Sequence, residues 1–162
     1  MRTTSRVNYD AIAHLYDGQP YRRKTIDPEL ETFLAQHASS NRLSLLDIAC
    51  GTGSQLMANR PIAPDARLVG LDRSFGMLAQ ARSKGSDIAW VQADGAELPF
   101  RPESFDFICC QFGFHHLPDK ASMLREVFKV LRPGGRFAMR NLCPQEHPEL
   151  ALLRVFSGGS NH

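Results

Sequence analysis

Apolar residues recur along this chain in two rhythms: short unbroken runs, and stretches where they return every three or four positions. Unbroken runs mark strands buried on both faces, and the longer period marks helices that rest one side on a core. Near the N-terminus, residues 8–17 place Ile12, Leu15 and Tyr16 on one helical face. Asp27-Pro28 then opens a second helix, a capping carboxylate followed by proline at the first helical position. Its apolar stripe is Leu30, Phe33, Leu34 and Ala38.

The first strand covers residues 43–48 and runs into the turn Gly51-Thr52-Gly53, with a short helix from Ser54 to Asn59. Residues 67–71 form a second strand ending at Asp72, and Ser74 caps a helix carrying Met77, Leu78 and Ala81. Residues 88–91 form a third strand ending before Asp94, and 105–110 a fourth. Leu124, Val127, Phe128 and Leu131 mark the next helix, stopped by Pro133-Gly134-Gly135. Phe137-Ala138-Met139 is the core of a fifth strand, and a last helical pattern spans 148–156. Strand–helix alternation at this spacing predicts an α/β fold, a parallel sheet with helices on both faces that ends after its fifth strand. The layout is one domain: a helical cap over 1–40, the sheet core over 41–141, and a C-terminal helix and tail over 142–162.

At 162 residues the chain can bury a core of its own, and 43% hydrophobic with 22% charged residues is ordinary for a globular protein. The net charge of +2 is spread along the chain, and Arg22-Arg23-Lys24 reads as a solvated helix end, so no nucleic-acid partner is expected. The N-terminus lacks the apolar core of a signal peptide, and no apolar stretch reaches membrane-spanning length. Cys50, Cys109, Cys110 and Cys143 show no CxxC spacing, which predicts reduced thiols, no metal and a cytoplasmic location.

Asp47, Asp72 and Asp94 fall at or just after the ends of the first three strands. In a parallel sheet those ends share one edge, where such folds bind their ligands. A carboxylate at the position of Asp72 can accept from both hydroxyls of a ribose, and Asp94 from the amine of adenine, with Met77 and Leu78 as apolar walls. The pattern G-x-G-x-x-G would need a third glycine near Met57, and none is there. That absence disfavours a nicotinamide-dependent oxidoreductase and favours a ligand without phosphates.

Here the chain resembles the class I S-adenosylmethionine-dependent methyltransferases, with a Rossmann-like core. It looks closest to the small-molecule branch of the type 11 domain that includes ubiquinone and menaquinone biosynthesis enzymes. The resemblance covers residues 8–141. The family's first motif, D-x-G-x-G-x-G, is matched by Asp47, Ala49, Gly51 and Gly53, with alanine at the first glycine. Gln92-Ala93-Asp94-Gly95-Ala96-Glu97-Leu98-Pro99-Phe100 resembles the adenine-side motif. Ser104-Phe105-Asp106 with Phe114-His115-His116-Leu117 resembles the fourth-strand motif, and Leu131-Arg132-Pro133-Gly134-Gly135-Arg136-Phe137 the entry to the fifth strand.

The resemblance implies S-adenosylmethionine as cofactor and S-adenosylhomocysteine as product. It implies that Asp47, Ala49, Gly51, Gly53 and Gln111 face the methionine part. Asp72 would face the ribose, and Tyr16, Arg73, Met77, Asp94 and Gly95 complete the cofactor set. Tyr9, Tyr16 and Tyr21 would come from helices that cover the cofactor.

Family members continue to a sixth and seventh strand. The short ending therefore predicts either a fragment or a homodimer in which a partner chain covers the open fifth-strand edge. The acceptor is expected to be a small organic molecule. No Asn-Pro-Pro-Tyr or Asp-Pro-Pro-Tyr string follows the fourth strand, and Cys143-Pro144 reads as a spare thiol rather than a nucleophile. Where the acceptor must lose a proton, His115 or His116 is the candidate base; otherwise both are surface or capping residues. A cofactor-binding protein without turnover is the alternative.

Overall fold

The computed structural model describes residues 7–37, 42–85, 87–141 and 151–157. Six strands form one sheet: β1 (Ser44–Ile48), β2 (Arg67–Asp72), β3 (Ala89–Gln92), β4 (Phe105–Gln111), β5 (Leu131–Asn141) and β6 (Ala151–Ser157). Their order is β3-β2-β1-β4-β5-β6. The first five are parallel and β6 runs antiparallel to β5. The helices are α1 (Tyr9–Tyr16), α2 (Pro28–Gln36), α3 (Ser54–Asn59), α4 (Phe75–Arg82) and α5 (Lys120–Val130).

Every residue of β1 is buried, as the unbroken apolar run requires of a central parallel strand. Alternate side chains feed two separate cores. Leu46, Ile48, Val69, Leu71, Ile108, Met123 and Val127 pack on one face. Leu30, Phe33, Leu45, Leu56, Leu68 and Phe107 pack on the other. Each fully buried large aliphatic or aromatic side chain contributes about 1.5–3 kcal/mol relative to exposure. Local chemistry sets the helix starts: Asp27 Oδ1 accepts from Glu29 N at 3.0 Å, and Ser74 Oγ from Met77 N at 3.1 Å.

Three expectations need correction. The apolar pattern at the C-terminus is not a helix over 151–157 but strand β6, paired with β5 from Asn141↔Ala151 to Phe137↔Phe156. A short apolar run has no decisive period of its own, and the unpaired N–H and C=O groups of β5 recruit it as a strand. The outer edge of β5 is therefore covered by the chain itself, so the homodimer expected there loses its structural reason. In α5, Met123, Val127 and Val130 are buried, whereas Phe128 is 55% exposed and Leu131 already belongs to β5. In α1, Ala13 is buried while Leu15 is 59% exposed; the inward side is Tyr9, Ala13 and Tyr16. Tyrosine can hydrogen-bond at a polar cleft wall where leucine cannot. Ala38 and Cys143, and the Tyr21 side chain, lie outside the described residues. Cys50, Cys109 and Cys110 are free and buried.

Candidate functional site

The strand order reverses direction at β1, which has β2 on one side and β4 on the other. The crevice outside the carboxyl ends of these two strands is where open α/β sheets bind ligands. Here β1 passes into a turn with three positive φ angles, Ala49 at 58°, Gly51 at 55° and Gly53 at 73°. The two glycines serve different ends. A side chain on Gly51 would meet nothing within 4 Å, so its bare backbone faces open space. A Cβ on Gly53 would fall 2.2 Å from the Trp90 ring, which also lies across Gly70. Gly53 thus admits an indole. It lines neither cavity described below, contrary to its expected place against the cofactor.

Ala49 holds a left-handed conformation that costs an L-residue roughly 1–2 kcal/mol. Its methyl is accommodated because position 113 is glycine, where a Cβ would come within 2.4 Å of Ala49 Cβ.

Asp72, at the end of β2, ties the turn down. Its Oδ2 accepts from Gly51 N at 2.7 Å and its Oδ1 from Ser74 N at 2.8 Å. Burial pushes its carboxyl above the usual carboxylate range, against these backbone donors. Asp94 Oδ1 accepts from Ala96 N at 2.9 Å, which holds the loop after β3.

A cavity of about 280 Å³ lies over these groups. Of the expected cofactor set, Tyr16, Ala49, Gly51, Asp72, Arg73, Met77, Asp94, Gly95 and Gln111 all line it. Asp47 lines an adjoining cavity of about 610 Å³. The two share Tyr9, Tyr16, Ala49, Gly51, Gln111, Phe112 and His116 as a common wall.

Two acceptors at this junction lack donors. Asp47 is 2% exposed, and its Oδ1 has no hydrogen-bond partner. Burial raises its carboxyl to about 7, while the Cys109 thiol and the Lys24 ammonium pull the other way. Gln111 donates through Nε2 to Asp27 Oδ2, which leaves its buried Oε1 unpartnered. Asp27 is itself 1% exposed and receives this bond while capping α2. Leaving a buried acceptor unsatisfied costs about 1–3 kcal/mol, so the pair calls for a ligand carrying N–H donors.

The histidines sit in a tight turn, Phe114–His116, after β4. Their rings lie 3.7 Å apart. His115 Nδ1 is 2.6 Å from Asn141 Oδ1, an acceptor, so this nitrogen carries the hydrogen and Nε2 keeps its lone pair. His116 Nε2 is 2.7 Å from the Tyr9 hydroxyl. Burial and the neighbouring His115 hold His116 below the ordinary histidine value, hence neutral near pH 7.

Sequence reasoning overlooked several of these residues. Lys24, read with its neighbours as a solvated end, is half-buried and lines the second cavity with Arg22; Arg23 alone of the three is exposed. Asp27 was legible as a cap but not as the partner of Gln111. Asp10 and Asp17 carried no signal beyond helix polarity, yet they pin α1 over the crevice. Asp10 Oδ1 accepts from Ser74 Oγ and Gly76 N, both at 2.7 Å. Asp17 Oδ1 accepts from Thr52 Oγ1 at 2.6 Å, and its Oδ2 pairs with Lys84 Nζ at 2.5 Å.

A glycine turn at the switch point, acids at three successive strand ends and a helical cover define a domain that binds a nucleoside-type cofactor. Residues 46–139 match the Methyltransferase domain family, and the chain belongs to it. It is 34% identical over 119 residues to the demethylmenaquinone methyltransferase of Lactococcus lactis, covering 69% of this chain and 46% of that protein. It is 37% identical over 116 residues to the 2-phytyl-1,4-naphtoquinone methyltransferase of Thermosynechococcus vestitus, covering 68% and 50%. The chain thus spans about half the length of the curated relatives it matches. Among solved structures, an S-adenosylmethionine-dependent methyltransferase from Mesorhizobium loti aligns with a TM-score of 0.57 at 29% identity, over 70% of this chain and 53% of that one. One from Aquifex aeolicus aligns with a TM-score of 0.69 over 86% and 76%, and at 21% identity it speaks for the fold. No helix among the described residues is long and apolar enough to cross a membrane.

Proposed function

We propose that this chain binds S-adenosylmethionine and directs transfer of its methyl group to a small organic acceptor. The observation that carries the reading is the pair of buried, donorless acceptors, Asp47 Oδ1 and Gln111 Oε1, at the glycine turn. The α-ammonium of the cofactor has the three N–H donors that such a pair lacks. Asp72 retains acceptor capacity on both oxygens for the ribose hydroxyls, and Met77, Leu71 and Ile48 offer an apolar bed for adenine beside Asp94. Bound S-adenosylmethionine supplies an electrophilic methyl at its sulfonium and departs as S-adenosylhomocysteine.

The protein's own work is alignment and exclusion of water, worth roughly 7–11 kcal/mol when geometry is good. Tyr9 and Tyr16 close the crevice from α1. His115, with Nε2 unprotonated, and the neutral His116 border the second cavity and can accept a proton from an acidic acceptor. The relatives named for demethylmenaquinone and 2-phytyl-1,4-naphtoquinone support a small organic acceptor.

Calorimetric titration of S-adenosylhomocysteine and of NAD tests the reading. S-adenosylhomocysteine is expected to bind, NAD to give no heat, and Asp72→Ala to weaken binding about tenfold or more. Binding of NAD without S-adenosylhomocysteine would overturn it.

A further inference from the structure

The second cavity holds an ammonium group that the fold leaves without an anion. Lys24 is half-buried, yet among the described residues its Nζ makes no hydrogen bond or ion pair. Its one close neighbour is the Phe112 ring, whose centroid lies 4.2 Å away. Phe112 itself is strained, at φ 61°.

Arg22 lines the same cavity, its guanidinium carbon 3.7 Å from the centroid of the Tyr16 ring. Repulsion from Arg22 and Arg140, together with burial, holds the Lys24 ammonium below its ordinary value. An uncompensated cation in this setting gains from an incoming anion. Asp47 lines the cavity too and interacts with Lys24, but its Oδ1 stays unpartnered. The cavity therefore presents an unsatisfied acceptor and an unsatisfied cation within electrostatic reach of each other. That is the complement of an α-amino acid, whose ammonium and carboxylate share one carbon.

We propose that Lys24, flanked by Arg22, binds a carboxylate in the second cavity, and that this carboxylate belongs to the amino-acid end of the cofactor. The inference rests on the S-adenosylmethionine reading and extends it. Asp47 with Gln111 takes the ammonium, Lys24 takes the carboxylate, and the methionine tail is clamped at both charges. The clamp fixes the tail on the floor of the second cavity and leaves its His115 side for the acceptor. Lysine suits a single carboxylate oxygen as a point charge.

Three ligands separate the possibilities, titrated by calorimetry into wild-type protein, Lys24→Met and Lys24→Arg. They are S-adenosylhomocysteine, its decarboxylated analogue that keeps the amine, and 5′-methylthioadenosine, which lacks the whole amino-acid end. Lys24→Met is expected to weaken S-adenosylhomocysteine roughly 10- to 100-fold. The other two ligands should change by less than about twofold, and Lys24→Arg should recover most of the loss.

Equal weakening of all three ligands would assign Lys24 to the scaffold and overturn the proposal. Unchanged S-adenosylhomocysteine affinity overturns it as well. Benzoate titrated into S-adenosylhomocysteine-saturated protein is the arm for a carboxylate on the methyl acceptor. Its loss in Lys24→Met with unchanged cofactor affinity would move the site to the acceptor. Folded wild-type protein that binds none of the three nucleosides sinks the cofactor reading, and the clamp with it.

Discussion

Asp47 shows most directly how a single residue couples folding to binding. Its carboxyl titrates at about 7 because burial penalises the charge. A carboxyl whose folded value lies above the unfolded 3.8 holds a proton in the native state that the unfolded chain has released. Stability therefore falls as pH rises from about 4 to about 7 and levels off outside that window. Asp47→Asn, of nearly the same size, should remove this slope and raise stability above pH 7 by a few kcal/mol, read from urea midpoints across pH. Binding carries the opposite sign, because a cofactor ammonium pairs with the ionised form. Wild-type affinity for S-adenosylhomocysteine should rise with pH to a plateau above about 7, and that rise should vanish in Asp47→Asn. The acid was legible in the sequence at the end of an apolar run; its perturbed titration was not, because desolvation depends on what covers it.

At the scale of elements, α1 works as a strap with a tie at each end. Asp10 reaches the start of α4, Asp17 reaches Thr52, Ser54 and Lys84, and the Tyr9 hydroxyl meets His116 across the crevice. These ties are partly exposed, and exposed ion pairs contribute about 0–1 kcal/mol to global stability. Asp17→Ala should therefore leave the urea midpoint nearly unchanged while raising amide exchange across residues 9–17 and speeding ligand dissociation. Hydrogen-exchange mass spectrometry reads the first effect and stopped-flow the second. Exchange confined to its wild-type rate would show that the strap is held by Ala13 and the tyrosines instead. Periodicity located this helix closely but chose the wrong side. Ile12 and Leu15 look like the buried stripe only until the partner is known to be a polar crevice rather than a second apolar face.

For the whole molecule, the β5–β6 pair closes what would be a bare edge. Five parallel strands with two apolar cores were readable from the unbroken runs of β1, β2 and β4. The fate of 151–157 was not, because a run such as Ala151-Leu152-Leu153 suits either element until a neighbour selects one. A chain ending at Asn141 should expose the β5 edge and self-associate, seen as a rise in mass by light scattering relative to the 162-residue chain. A monomer of unchanged stability would show that β6 contributes nothing to closing the sheet.

The amino-acid order alone determined the strand sequence, the acids at three strand ends and the positive-φ turn after β1. Each follows from covalent neighbours: burial of a run, capping at a helix start, the freedom of a residue without Cβ. Tertiary structure alone decided that Gly53 makes room for Trp90, that Gly113 makes room for Ala49, and that Lys24 is desolvated while Arg23 is not. Those outcomes depend on which surfaces meet across the fold, and the energy of a charge or a methyl group is set by what it meets.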